Sequence, residues 1–266
     1  MSAFFGAACC LGDGRLAVPA RPQADRGAIL RVREVYAATL RVCGQRVGSL
    51  LLIGVIVFVP LGLLDAIPDQ VVEVGGISDI SDLATFALLA AVLAQSATVL
   101  LGEVFYSGAV AQLIARTQPG ARPSLLGVAR SLSYGRLIAV DILFGLGIAV
   151  GLVLLVVPGV VAFTWFALAG PLVELDRLGV RAAFMRSRHL VRGHFWTVLA
   201  VLGPITLASE ALTDAALSVA HGVLGDSLLA DWLGESATNI MLSPLYAVAA
   251  VLITLRLSER LQSDRG

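Results

Sequence analysis

Long apolar runs dominate the chain, and short polar segments separate them. Six runs are close to the ~20 residues that a helix needs to cross the hydrocarbon core of a bilayer. They are, in order, Ser49–Ile67, Leu83–Leu101, Leu137–Val157, Val160–Leu175, Phe195–Ala216 and Ala237–Leu257. The second helix is predicted to extend to Arg116. Pro158-Gly159 between the third and fourth runs favours a turn. The pattern predicts an all-α integral membrane protein with about six transmembrane helices arranged as three hairpins.

A polar segment with helical period precedes each pair of runs. In Val180–Arg192 the apolar face is predicted to consist of Val180, Ala183, Phe184, Ser187, Leu190 and Val191, while Arg181, Arg188 and Arg192 lie on another face. Leu30–Val47 has a similar apolar face, which ends at Val47, and Ser124–Arg136 is a shorter copy. These segments are predicted to be cytoplasmic interfacial amphipathic helices in the headgroup layer, one before each hairpin.

The positive charges lie in alternate connections between the runs. All 19 cationic residues are arginine, and they fall before the first run, between the second and third, between the fourth and fifth, and from the end of the sixth onward. The other three connections carry no arginine, and two of them carry several acidic residues. The positive-inside rule produces this segregation and predicts that both termini are cytoplasmic. A miscount by one helix would place arginines on both sides of the membrane.

Composition agrees with a membrane location. The chain is 58% hydrophobic and 14% charged, with a mean hydropathy of +0.88, and so few charges cannot cover a water-soluble domain. The formal net charge of zero gives no general attraction to nucleic acid. The arginine-only repertoire is typical of a high-GC genome and favours a bacterial cytoplasmic membrane. Residues 1–28 are predicted to be a disordered tail or an over-long start, residues 29–258 a polytopic membrane domain, and residues 259–266 a short cytoplasmic tail.

Charged residues near the ends of the runs are the candidate functional residues. From their positions in the runs, three acids are predicted to lie at one depth beside the cytoplasmic arginines. The candidate layer consists of Glu103, Arg136, Asp141, Glu174, Arg186 and Arg192. One interpretation is structural, with ion pairs that pin the interfacial helices to the bundle. The other is a polar pocket that opens to the cytoplasm and binds a lipid headgroup or a small anion.

The sequence predicts neither a metal site nor a catalytic site. The three cysteines have no disulfide or metal spacing, and His189 and His194, five residues apart, do not share a helix face. No serine has a histidine and an acid placed to activate it. No cofactor is predicted, and the chain is expected not to be an enzyme.

The part of the chain from the fourth run onward resembles a known family. The resemblance rests on Pro171-Leu172-Val173-Glu174, Gly179, Ala182-Ala183, Arg186-Ser187, Leu190-Val191, Arg192-Gly193 and Phe195-Trp196. These residues resemble the membrane domain attached to some bacterial glycerophosphoryl diester phosphodiesterases, and its stand-alone relatives. The similarity extends over roughly Leu30–Leu257 and implies a multi-pass membrane fold. It does not imply phosphodiesterase activity, because no segment outside the runs is long enough for the catalytic barrel.

Two classes of function fit these observations. The first is a scaffold, lipid-interacting or partner-binding protein, with membrane lipids, especially anionic ones, and a protein partner or a second copy of the chain as the expected partners. The second is a transporter or permease component with a polar pocket that faces the cytoplasm, since repeat-built transporters place such sites between their repeats.

Overall fold

Helices make up the part of the chain that the structure describes. The computed structural model describes residues 32–74, 102–116, 125–154, 156–225 and 227–263, and these residues contain no strand. The helices are α1 (Val32–Val74), α2 (Glu103–Arg116), α3 (Leu125–Ser131), α4 (Tyr134–Leu154), α5 (Val156–Phe166), α6 (Ala169–Leu175), α7 (Val180–Arg192), α8 (Phe195–Leu224) and α9 (Leu228–Ser263). The all-α prediction is confirmed for these residues. The predicted tail, residues 1–28, and the second predicted run, Leu83–Leu101, lie outside them.

Four stretches of the described residues are long and apolar enough to cross a membrane. They are Val32–Gly62, Val157–Leu175, Phe195–Leu224 and Leu228–Leu261. These stretches correspond to the first, fourth, fifth and sixth predicted runs, and the third predicted run coincides with most of α4. They indicate a membrane protein. The arrangement of six spans in three hairpins stays a prediction.

The first predicted interfacial segment and the first apolar run form a single bent helix, α1. Arg46 has non-helical dihedral angles (φ −126°, ψ 20°) within it, so the helix axis bends where the polar segment meets the apolar run. Val35 and Thr39 are buried before the bend, and Leu50 is buried after it. Val47, which was predicted on the apolar face, is exposed just after the bend.

The chain reverses between α4 and α5, but not at the predicted turn. Pro158 and Gly159 lie inside α5, so the prediction of a turn at this pair is wrong. Proline fits the first turn of a helix, where its missing N–H would have no intrahelical partner. A Cβ on Gly151 would lie 2.8 Å from the Cα of Gly159, whereas eight residues along one helix span about 12 Å. The two helices therefore form a hairpin with a close glycine contact.

Helix α2 starts just after Gly102, a residue with positive φ, and packs closely against α6. Gly102 has φ +103°, and the helix begins at the next residue. The prediction of a continuous helix from the second run to Arg116 is therefore wrong. A Cβ on Gly170 of α6 would lie 2.5 Å from the carbonyl oxygen of Val104 and from Ser107 Oγ. Glycine at this position lets the two helix backbones approach each other.

The amphipathic character predicted for Val180–Arg192 is confirmed in α7. Its buried residues are Ala183, Ser187, Leu190 and Val191, all on the predicted apolar face. Val180 and Phe184 are half-buried against the same core. The predicted polar face is exposed, since Arg181, Arg188 and Arg192 all face outward. The burial pattern thus follows the 3.6-residue period of the sequence.

Candidate functional site

The three acids of the predicted layer lie at two levels rather than one. Asp141 accepts hydrogen bonds at the start of α2, where Glu103 is the first helical residue. Glu174 instead contacts Gln112, nine residues further along α2. Nine residues of α-helix span about 13 Å. Glu103 and Asp141 therefore form one site, and Glu174 belongs to another.

Asp141 caps α2 from a different helix. One carboxylate oxygen accepts a hydrogen bond from the backbone N–H of Gly102 at 2.5 Å, and the other accepts one from Val104 N–H at 3.3 Å. The first N–H groups of a helix have no partner within the helix, and the positive end of the helix dipole favours an anion. Asp141 is buried. Its carboxylate thus fixes the start of α2 against α4.

Glu103 lies beside two polar side chains of α9. Ser243 Oγ donates a hydrogen bond to Glu103 Oε1 at 2.5 Å. The other oxygen, Oε2, is inaccessible to solvent and has no hydrogen-bond partner in the described residues, and the same is true of the Tyr246 hydroxyl. Tyr246 and Asp141 both lie within electrostatic range of Glu103. Among the described residues, the level of Glu103 therefore contains two carboxyls and an inaccessible phenol, and no basic side chain contacts them.

Glu174 joins three segments of the chain by hydrogen bonds to neutral donors. Its Oε2 accepts a hydrogen bond from Gln112 Nε2 at 2.8 Å, and its Oε1 accepts one from the backbone N–H of Ser133 at 2.8 Å. Gln112 Nε2 also donates to the carbonyl oxygen of Glu174 at 3.1 Å. Glu174, Gln112 and Ser133 thus connect α6, α2 and the residues just before α4. This network is structural, because it leaves both carboxylate oxygens occupied.

The arginines of the predicted layer do not contact its acids. Arg136 donates a hydrogen bond to the carbonyl oxygen of Arg177 at 3.3 Å. Arg186 is half-buried on α7, and Arg192 is exposed at the end of that helix. Within the described residues, the hydrogen bonds of Glu103, Asp141 and Glu174 come from neutral donors. The predicted ion pairs between the two sets are therefore not formed there.

Two other arginines of α7 flank a groove between α4, α5 and α7. Its volume is about 430 Å³, and its lining consists of Leu143, Phe166, Val180, Arg181, Phe184, Met185 and Arg188. Phe166 and Phe184 meet edge to face with their ring centroids 5.0 Å apart. The Cζ of Arg188 lies 4.4 Å from the ring centroid of Trp165, which is a cation–π contact. The groove is apolar inside and cationic at its rim.

The described residues contain no group of three His, Cys, Asp or Glu side chains that could hold a metal ion. His221 Nε2 lies 2.6 Å from Asp231 Oδ1. This contact joins the end of α8 to the start of α9. The ring of His194 is partly buried and lies near Arg260. Burial and the positive charge of Arg260 both lower the pKa of His194.

Sequence reasoning missed Ser243, Tyr246 and the groove. Ser243 and Tyr246 occupy ordinary positions in an apolar run, and the carboxyl group that they face, Glu103, lies on another helix. The cation–π contact had a partial signal, since Arg188 was predicted on the polar face of Val180–Arg192. Their pairing depends on how α7 crosses α5, which the sequence does not show.

Comparison with protein-family models, with curated proteins and with solved structures finds no match to the chain.

Proposed function

We propose that the chain is a non-enzymatic membrane protein that binds anionic lipid and serves as a lipid-organising scaffold or partner-binding subunit. The observation that supports this proposal is α7, an amphipathic helix with exposed arginines beside an apolar groove. An apolar face packed on the bundle and a cationic face turned outward suit a helix in the headgroup layer. Each arginine near an anionic bilayer surface contributes about 1 kcal/mol to the attraction.

Lipid preference of the purified full chain tests this function. The chain would be purified in a nonionic detergent and given equal amounts of dioleoyl phosphatidylglycerol and dioleoyl phosphatidylcholine. Native mass spectrometry then counts the lipids retained by each molecule. We expect phosphatidylglycerol to be retained in excess, and the excess to shrink as ionic strength rises, because salt screens exposed charges. Equal retention of the two lipids at low salt would contradict the proposal.

The proposed location is the bacterial cytoplasmic membrane, with both termini and α7 on the cytoplasmic side. The support is the sequence segregation of arginine, together with α8 and α9, two long apolar helices joined near Gly225. An alkaline phosphatase fusion after Gly225 should be active, since that enzyme works only outside the cytoplasm, and a fusion after Gly266 should be inactive. The reverse pattern would overturn the orientation. The relationship to the phosphodiesterase-linked membrane domains is part of the same proposal.

A transporter or permease component is the second candidate, and Glu103 is the observation that favours it. Glu174 lies beside Gly108 and Gln112 of α2. If its level marks the membrane boundary, Glu103 lies about 8–13 Å deeper, well inside a ~30 Å hydrocarbon core. Ionisable side chains at such depth mark transport pathways in many membrane proteins. Asp141 and Tyr246 beside Glu103 supply further polar groups at the same level.

Thermal unfolding in detergent with a panel of small metabolites and ions tests the second candidate. A solute that raises the melting temperature of the wild-type chain, but not that of Glu103→Gln, would support transport. Asp214→Asn is the matched control, because Asp214 is an exposed acid of α8. A panel without any Glu103-dependent shift would remove the support for transport and leave the lipid-binding proposal untouched.

A further inference from the structure

Among the described residues, the lining of the groove between α4, α5 and α7 is apolar apart from two arginines, and it contains no acid. We propose that this groove binds one acyl chain of an anionic phospholipid, while Arg181 and Arg188 hold the phosphate of its headgroup. This inference rests on the proposed function and names the residues that carry it. It also replaces Arg186 and Arg192, which the sequence suggested for this role, with two other arginines of the same helix.

The two arginines are placed to act on one headgroup. Arg181 and Arg188 are seven residues apart on α7, which is about two helical turns or 10 Å along one face. Both side chains are exposed. The guanidinium of Arg188 lies over the ring of Trp165, which holds this side chain beside the groove. A cation–π contact does not use the N–H groups, and a guanidinium edge matches two oxygens of a phosphate.

The lining of the groove suits a hydrocarbon chain. Leu143 and Met185 are 49% and 57% exposed, which is unfavourable in water and ordinary against lipid. Phe166 and Phe184 pack against each other in the lining. Helix α7 is also firmly attached next to the groove, because Ser187 Oγ donates a hydrogen bond to the carbonyl oxygen of Trp165 at 2.6 Å. The groove is therefore a fixed feature of the fold.

Charge variants on the same helix test the headgroup contact. The assay is the competition between phosphatidylglycerol and phosphatidylcholine on the full chain. Arg181→Ala and Arg188→Ala are each expected to lower the preference for the anionic lipid about fivefold, as for the loss of one well-placed cation. The matched controls Arg186→Ala and Arg192→Ala remove charges of the same helix that do not line the groove. In detergent there is no bilayer surface to attract them, so each should change the preference less than twofold. Inorganic phosphate at millimolar concentration should not displace the lipid, because it offers no chain to the groove.

A second pair of variants tests the chain contact without removing a charge. Val180→Trp places a large side chain in the groove and should reduce lipid retention as strongly as Arg188→Ala. Leu207→Trp adds the same side chain to an exposed position of α8 and should leave retention unchanged. If the wild-type chain shows no anionic preference, the proposed function fails. If the preference exists but all four arginine variants lower it equally, or Val180→Trp has no effect, the groove is not the site and the proposed function stands.

Discussion

Removal of the Asp141 carboxylate should destabilise the chain by freeing the start of α2. In Asp141→Ala, the backbone N–H groups of Gly102 and Val104 lose the oxygens that accept their hydrogen bonds at 2.5 and 3.3 Å. Both residues are buried, so water does not readily replace the carboxylate. The substitution also removes an anion from the positive end of a helix dipole.

The expected magnitude follows from these two hydrogen bonds. A buried donor left without an acceptor costs about 1–3 kcal/mol, and loss of an N-cap side chain costs about 0.5–2 kcal/mol. Because the two costs describe the same groups, they are not added, and Asp141→Ala should lower the free energy of unfolding by about 1–3 kcal/mol. Asp141→Asn keeps one acceptor oxygen and turns a donor toward the other N–H. It should therefore lie between wild type and Asp141→Ala.

Reversible unfolding in mixed micelles of dodecyl maltoside and sodium dodecyl sulfate gives these free energies. The control is Asp214→Ala, which removes an exposed acid of α8 and should change the free energy of unfolding by no more than about 0.5 kcal/mol. The reasoning is refuted if Asp141→Ala destabilises the chain no more than this control. It is also refuted if the asparagine variant is as unstable as the alanine variant, since one retained acceptor would then contribute nothing.

Three further substitutions test other contacts by the same unfolding measurement. Gly170→Ala should lower the free energy of unfolding by about 1–3 kcal/mol, because its Cβ would lie 2.5 Å from atoms of α2. The control Gly147→Ala, whose Cβ would have nothing within 4 Å, should be neutral or stabilising. Equal effects of the two variants would contradict close packing at Gly170. Trp232→Phe removes the hydrogen bond from Trp232 Nε1 to the carbonyl oxygen of Val59 at 2.9 Å and should lower the free energy of unfolding by about 1 kcal/mol. An unchanged free energy would mean that this bond does not hold α9 to α1. The pKa of His194 is lowered in the folded chain, so the unfolded chain binds more protons at this residue. The free energy of unfolding should therefore fall as the pH drops from 7.5 through about 6.5, the usual histidine pKa. His194→Gln should weaken this pH dependence, and an unchanged slope would assign it to other groups.

Helices and their faces were predictable because they depend on local periodicity. In α7 the spacing of Ala183, Ser187 and Leu190 marks one side of a 3.6-residue helix, and these residues are buried. The start of α2 was not predictable in the same way. Gly102 is one of 27 glycines, and its positive φ is stabilised by Asp141 from another helix. A contact between helices that are distant in sequence leaves no periodic signal in either one.

The partners of the acids were predicted from charge alone, which explains why Glu174 was assigned an arginine partner but has neutral ones. Opposite charges attract, so the sequence suggested arginine partners for the three carboxylates. In the fold, Gln112 and the backbone N–H of Ser133 occupy both oxygens of Glu174. Neutral donors satisfy a buried carboxylate without bringing a second charge out of water. Backbone donors in particular are invisible in a sequence, because every residue except proline has one.

Helix α4 is the structural link between the two candidate functions. Asp141 faces inward and caps the helix that begins with Glu103. Leu143, two residues later, points to the opposite side and lines the groove of Arg181 and Arg188. Successive residues of a helix are rotated by about 100°, so this two-residue step places the two sites on opposite faces of one rigid element. A lipid in the groove therefore lies on the far side of α4 from Glu103, and variants of the two sites report on independent functions as long as α4 does not move.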